Sequence, residues 1–370
     1  MDELTKAFLI KKFREYYTSS RIEMPIEFKR REWAFVFVEN MPNFIMNRHV
    51  SFQSAQDFSI YVKNKIPAHI YYSSAYYVKP NREKMEDKGW IKADLIFDID
   101  ADHLPLKSKS YKIALNRAKK EVFKLYRALT TELGVDEKKI KIFFSGSRGY
   151  HIHVYDRDFQ LLNSGERREI IDYLMVNTEK ILDGNRFYDS FKAMQVSRIL
   201  ARYIKNLIKK GRLMDILKKY RVRNPERVYT ILANVENLQK LENGDLSFLP
   251  RSVRVKNFVV DLVGKISESL RIYIDAPVTA DVKRLIRMPN SLHGKTGLKV
   301  TEVDIDRLRD FNPFYDAVVF GDERVRIRGV RRAKIEIMGE DYSIKAGERA
   351  SIPEHAAIFF LCRGVAVYGH

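Results

Sequence analysis

The chain has 370 residues, 45% of them hydrophobic, which is enough for one large or two ordinary domains with a sizeable core, and no Pro/Gly/Ser-rich tract suggests extended disorder. A net charge of +19 and a pI near 9.7 favour a polyanionic partner, nucleic acid over membrane, against the plainer reading of solvated surface ion-pair networks. The single cysteine, Cys362, excludes internal disulfides and cysteine-rich zinc sites.

The first 20 residues read as a helix, with Phe8, Leu9, Phe13 and Tyr17 near helical spacing. Residues 31–37 and 47–52 alternate like paired strands, and a helix from about Ala55 leads to a strand over 68–72. The run from Ala93 to Asp100 is predicted to be a strand with Leu95, Phe97 and Ile99 on one face and Ile96, Asp98 and Asp100 on the other. Its two carboxylates are then roughly 7 Å apart along the strand. They could bind one divalent cation or hold two, as in-line nucleotidyl transfer requires; the plainer alternative is a strand end running into a polar turn helped by Asp102. After Pro105 comes a basic amphipathic helix carrying Val122, Leu125, Tyr126 and Leu129, then a strand over 140–144 and the turn Ser145-Gly146-Ser147-Arg148-Gly149, whose glycines let backbone amides approach an anion. Beyond it His151, His153 and Tyr155 share a face. The two histidines are either a metal pair or a phosphate contact beside a packed histidine.

From 164 to 268 the pattern is helix after helix (170–182, 193–210, 213–220, 228–241 and 255–270), which reads as a helical insertion. Its basic stretch, 205–227, is either a solvated helical face or a nucleic-acid surface. Strand character returns at 270–275. Thr279 is then expected to cap a short helix carrying Lys283, Arg284 and Arg287, with Pro289 ending it and His293-Gly294-Lys295-Thr296-Gly297 turning into a strand over 298–300. The Gly-Lys-Thr is not a phosphate loop of the ATPase kind, because Pro289 stands where that motif needs glycine and a strand follows where it needs a helix. From Glu323 onward, Val325 and Ile327 alternate against Arg324, Arg326 and Arg328, and Ile335 and Ile337 follow, giving a small half-exposed sheet. The expected class is α/β (α+β): a catalytic domain in two parts, 1–163 and 269–322, a helical insertion at 164–268 and a β-rich segment at 323–370. The polar stretch Met1–Lys6 and the lack of an apolar run of membrane-spanning length give a cytoplasmic expectation.

Three motifs in this order, Phe97-Asp98-Ile99-Asp100, Ser145-Gly146-x-Arg148-Gly149-x-His151, and an Asp followed by Leu285-Ile286-Arg287-x-Pro289-x-Ser291-Leu292-His293-Gly294-Lys295-Thr296-Gly297, resemble the catalytic small subunit of archaeal and eukaryotic DNA primases. Residues 31–35 and 48–52 resemble that family's early strands, and the likeness covers most of 1–160 and 270–315. It implies a mixed-sheet primase-type catalytic domain that makes short RNA or DNA primers from nucleoside triphosphates on a single-stranded DNA template, paired with a primase large subunit and associated with the nucleoid. It makes Asp98 and Asp100 the metal-binding pair for two Mg²⁺ or Mn²⁺ ions. Asp275, rather than Asp281, is the third carboxylate, because the family's third Asp lies 18 residues before the histidine of the His-Gly-Lys turn, as Asp275 does from His293. Ser145, Arg148, His151, His293 and Lys295 match nucleotide-phosphate contacts, and Arg48 matches a basic residue near the incoming nucleotide; Arg148, His151, His293 and Lys295 would neutralise the triphosphate. Archaeal members usually carry a cysteine-rich zinc insertion after the acidic strand, whereas residues 104–110 here pass into a helix without a cysteine, so no structural zinc is expected. Two rivals remain at this level: a primase-like polymerase of repair or end joining, and a non-catalytic nucleic-acid-binding subunit, against which the retention of three carboxylates and both turns argues.

Overall fold

The amino-terminal helix α1 (Glu3–Ser19) starts at Asp2, whose carboxylate accepts from the Thr5 backbone N–H, and it buries Leu9, Phe13 and Tyr17 along one stripe. The computed structural model describes residues 1–105, 110–177 and 180–369. It divides into two units, Met1–Arg168 with Ile274–His370, and Glu169–Tyr273.

In the first unit, β1 (Trp33–Phe37) lies between β2 (Asn47–Val50) and β3 (Pro67–Ser73), with α2 (Ala55–Lys65) joining the last two. All five residues of β1 are buried, and Trp33, Phe35, Phe52 and Phe58 interlock at ring distances of 4.8–6.1 Å. The hairpin β4 (Ala75–Tyr77) and β5 (Trp90–Ala93) leads into β6 (Leu95–Asp100). Asp94, at the entrance to β6, is fully buried. Its carboxylate accepts from Arg31 at 2.7 Å, Tyr76 at 2.9 Å and Gln160 at 2.7 Å, so the start of the acidic strand is fixed by a satisfied ion pair. Helix α3 (Tyr111–Arg127) lays Val122 and Leu125 on β6 and on β8 (Gly149–Val154), which follows β7 (Ile140–Phe144). This second sheet runs β12-β7-β8-β6, where β12 is Thr301–Glu302. Residues 106–109 of the connection expected to lack zinc lie outside the described residues. The expected mixture of helices and strands is present. Every strand pairing among the described residues is antiparallel, so the sheets are not of mixed direction.

After α4 (Arg157–Gln160), α5 (Ser164–Met175) is shorter than the helix expected over 170–182. Leu182–Asp183 (β9) instead pairs with Arg186–Phe187 (β10) around a Gly-Asn turn, which helical periodicity alone does not reveal; residues 178–179 of that expected helix lie outside the described residues. The second unit is otherwise helical, with α6 (Phe191–Lys209), α7 (Leu213–Lys219), α8 (Pro225–Ala233), α9 (Val235–Glu242) and α10 (Val253–Leu270) around Leu200, Ile204, Leu241 and Phe258.

The returning chain differs from expectation in two places. Residues 271–275 join no sheet, and the helix is α11 (Ala276–Ala280), with Thr279 inside it and Asp275 at its N-cap position. Asp281 Oδ1 then accepts from the Lys283 N–H at 2.8 Å, a local turn that stops the helix. Leu285–Arg287 becomes β11, an edge strand on β3, not part of a helix. The strand expected over 298–300 falls later, at β12. After α12 (Pro313–Asp316), β13 (Arg324–Gly329) sits between β16 (Arg349–Pro353) and β17 (Ala366–Tyr368), while β14 (Ala333–Ile337) and β15 (Glu340–Ile344) form a hairpin. The tail also contains α13 (Glu354–Cys362), buried at every residue. That burial removes the amphipathic signal by which a helix is read in sequence. Among the described residues no helix is long and apolar enough to cross a membrane.

Candidate active site

Asp98 and Asp100 lie on β6, the edge strand of its sheet. The alternation is as the sequence predicts: Leu95, Phe97 and Ile99 are fully buried, while Asp98 and Asp100 are partly open. On the free edge the Asp275 N–H donates to the Asp98 carbonyl at 2.8 Å, so an unpaired ladder group brings the third carboxylate alongside the other two. Asp100 Oδ1 accepts from the Asp102 N–H at 2.9 Å, which bends the chain as the strand ends.

Across the ladder His151 pairs with Asp98 and Gly149 with Asp100, and His151 Nε2 lies 3.7 Å from Asp98 Oδ1. The turn at 145–149 is closed by the Ser145 N–H donating to the Gly149 carbonyl at 2.9 Å, and the Ala101 N–H donates to the Arg148 carbonyl at 3.0 Å. The 293–297 turn docks on it, with the Thr296 hydroxyl donating to the Gly146 carbonyl at 2.6 Å. Gly146 has φ +83°, and a Cβ there would lie 2.7 Å from His293 Cβ, so both conformation and space require glycine.

A cavity of about 830 Å³ is lined by Asp98, Asp100, Ser145, Arg148, His151, His293 and Lys295. A second, of about 400 Å³, shares Asp98, His151 and Arg287 and adds Arg48, Tyr71, Asp281, Lys283 and Arg284. Arg48 therefore stands apart from Lys295. Its Nε donates to Glu32, which is fully buried and also 3.1 Å from the buried Lys88. Asp275 lines neither cavity and meets Asp98 from the side.

Burial, with Asp275 alongside, pushes the Asp98 carboxyl up to about 6, and burial also raises Asp100. His151 is pushed down to about 3 by burial and then by Arg287, and His293 falls well below its usual range for the same reasons. Burial thus favours the neutral form of both rings, which can still donate hydrogen bonds; the cations lining the cavities are arginines with Lys283 and Lys295. His153 is a packed histidine: it is fully buried, with Nδ1 3.1 Å from the Tyr155 hydroxyl.

Two contributors were missed in the sequence. Asp102 holds Arg148 Nη1 at 2.8 and 3.0 Å, while the guanidinium covers the Tyr111 ring at 4.4 Å. Arg287 lines both cavities, and its Nε is buried without a hydrogen-bond partner. The Leu-Ile-Arg-x-Pro motif contained that signal, but placing Arg287 on a helix face obscured it.

A family model for the DNA primase small subunit matches residues 97–305. The chain is 47% identical over 366 residues to the DNA primase small subunit PriS of Archaeoglobus fulgidus, covering 99% of each. It is 38% identical over 394 residues to that of Methanococcoides burtonii, covering 100% of each, and 37% identical over 391 residues to that of Methanospirillum hungatei, covering 100% of this chain and 98% of the relative. Fold and likeness together define a nucleotidyltransferase of the primer-synthesising class. The chain belongs to the DNA primase small-subunit family.

Proposed function

We propose that this chain is the catalytic subunit of a replicative primase, joining nucleoside triphosphates into short primers on single-stranded DNA at Asp98, Asp100 and Asp275, in a heterodimer with a primase large subunit and associated with the nucleoid. The reading gives 1–163 and 269–322 to the catalytic domain, 164–268 to a helical insertion and 323–370 to a C-terminal segment.

The observation that carries it is the convergence of acidic edge strand and anion-binding turns on one cavity. Among the described residues no three His, Cys, Asp or Glu side chains stand close enough to hold a metal ion as they are. The donor chemistry nevertheless fits: Asp98 is largely withdrawn from water and lies beside Asp275, which disfavours its charged form, and a hard divalent cation with oxygen ligands would relieve that penalty. Asp98, Asp100 and Asp275 would hold Mg²⁺ or Mn²⁺, which when bound supplies the charge that acidifies a 3′-hydroxyl and stabilises departing pyrophosphate. Arg148, Arg287 and Lys295 bind triphosphate oxygens as fixed cations, with Arg148 exchanging Asp102 for phosphate. His151 and His293 donate neutral hydrogen bonds, the 145–149 turn offers backbone N–H groups, and Arg48, anchored on Glu32, meets the nucleotide from the second cavity. Structural zinc has no place in this reading, since a closed zinc site draws on several Cys or His ligands and the sequence holds a single cysteine, Cys362.

Incubating the chain with single-stranded template, nucleoside triphosphates and Mn²⁺, without primer, should give new oligonucleotides. A strict requirement for a primer would overturn the reading in favour of a repair-type polymerase. Loss of all incorporation in Asp98→Asn, with template binding kept, is the matching expectation for the site.

A further inference from the structure

Strand β13 turns Val325 and Ile327 inward and Arg324, Arg326 and Arg328 outward. The register of β16 sets Arg349 opposite Arg328 and Ser351 opposite Arg326, so one face of the sheet carries four guanidinium groups. All four arginines are exposed, and among the described residues none has a carboxylate within 4.0 Å. The adjacent Glu348 is engaged by the Lys345 N–H at 2.8 Å. The buried helix α13 packs against β13, β16 and β17, so the charges stand on a backed sheet.

Exposed arginines are ordinary, but spacing and direction set these apart. Alternate residues of a strand are about 6.8 Å apart, the scale of successive phosphates in an extended single strand. The strand also leads to the catalytic cavity: just beyond Gly329, Val330 and Arg331 line the space that holds Asp98 and Asp100, together with Arg363. Arg331 Nη2 donates to the Arg363 carbonyl at 3.3 Å, and the Val330 N–H to the Val365 carbonyl at 2.8 Å. Basic groups therefore continue from the cavity wall along the sheet.

We propose that this arginine face is a phosphate-binding track for a single strand of nucleic acid entering or leaving the cavity. The inference rests on the reading of the chain as a template-using nucleotidyltransferase and assigns the surface that such a strand follows. Neither Phe, Tyr nor Trp occurs among the outward residues Arg324, Arg326, Arg328, Arg349 and Ser351. Binding along the track is electrostatic, indifferent to base sequence and strongly salt-dependent.

The test is titration of the full chain with labelled oligodeoxythymidylate over a range of salt concentrations, without nucleotides. The triple variant Arg324→Gln/Arg326→Gln/Arg328→Gln keeps the inward packing and should melt like the wild type. Its slope of log affinity against log salt should shrink by about 2, from three lost phosphate contacts at about 0.7 each, with at least a tenfold loss of affinity at moderate salt. The Arg→Lys version of the triple should recover most of both. A control removing three exposed lysines elsewhere, Lys65→Gln/Lys138→Gln/Lys139→Gln, should change neither. If the wild type binds the oligonucleotide and makes product while the Gln triple matches it in affinity and slope, the track is wrong and the functional reading stands. The same normal oligonucleotide binding with lost retention of an acidic protein partner would make the face a protein-docking surface and also overturn the track. A wild type that neither binds the strand nor makes product would overturn the functional reading itself.

Discussion

Asp98 experiences burial and a neighbouring carboxylate at once, and the sign of the consequence can be worked out. Its carboxyl ionises near 3.8 in an unfolded chain and near 6 in the fold, so between those values the unfolded chain loses its proton first and metal-free stability falls as pH rises. By pH 7 the loss is about 2–3 kcal/mol. Asp98→Asn should therefore melt above the wild type at pH 7.5 in chelator, with the gap closing towards pH 4.5, while Mn²⁺ should raise the melting temperature of the wild type only. Melting curves in which the variant is the less stable protein at pH 7.5 would show that the carboxylate is not strained. Asp275→Asn should abolish incorporation as Asp98→Asn does. Asp281→Asn should be mild, because the Asp281 carboxylate turns onto the Lys283 N–H of its own loop; primer-synthesis rates for the two variants decide, and the reverse order would exchange their roles. Arg287→Ala should raise the apparent nucleotide requirement by the equivalent of about 1–3 kcal/mol and leave oligonucleotide affinity unchanged.

At the scale of elements, the acidic strand was legible because period-two alternation survives even where one face is only partly open, and Asp98 and Asp100 fall on that face. Glycines and charged residues marked the two turns. Their docking through Thr296 and Gly146 was not legible, since it depends on a contact between residues 150 apart. Arg287 was misplaced for a related reason: Leu-Ile-Arg is too short to separate a strand from a helix by periodicity, and its strand character comes from pairing with β3. α13 was lost because a helix buried all round has no polar face. Gly149 ties the strand to the turn, since a Cβ there would lie 2.5 Å from the Ile99 carbonyl oxygen and 3.2 Å from Asp100 Cα. Gly149→Ala should push β8 from β6, destabilise by about 1–3 kcal/mol and reduce incorporation. Gly264→Ala in α10, where a Cβ meets nothing within 4 Å, should stabilise by about 0.5–1 kcal/mol. Thermal unfolding of the pair compares close approach with simple helix propensity.

For the whole molecule, protonation acts unevenly. His69, His151, His153 and His293 are all buried in the first unit, and all are held below the usual histidine range, His151 at about 3, with burial the main cause of each shift. The second unit, Glu169–Tyr273, contains no histidine. A histidine with a depressed folded value stabilises above its unfolded value near 6.5 and loses that contribution as pH falls; for His151, at about 3 in the fold, the loss is about 2 kcal/mol by pH 5. Asp98 and Asp100, both raised by burial, act in the opposite sense over part of this range, but they are two groups against four. Acidification from pH 7 to 5 should therefore weaken the first unit before the second. Amide exchange, corrected for the intrinsic rate at each pH, should show protection falling in β3, β8 and residues 291–298 while α6 and α10 remain protected. An equal loss in both units, or an earlier loss in the helices, would mean that the buried histidines do not govern the acid limit of this fold.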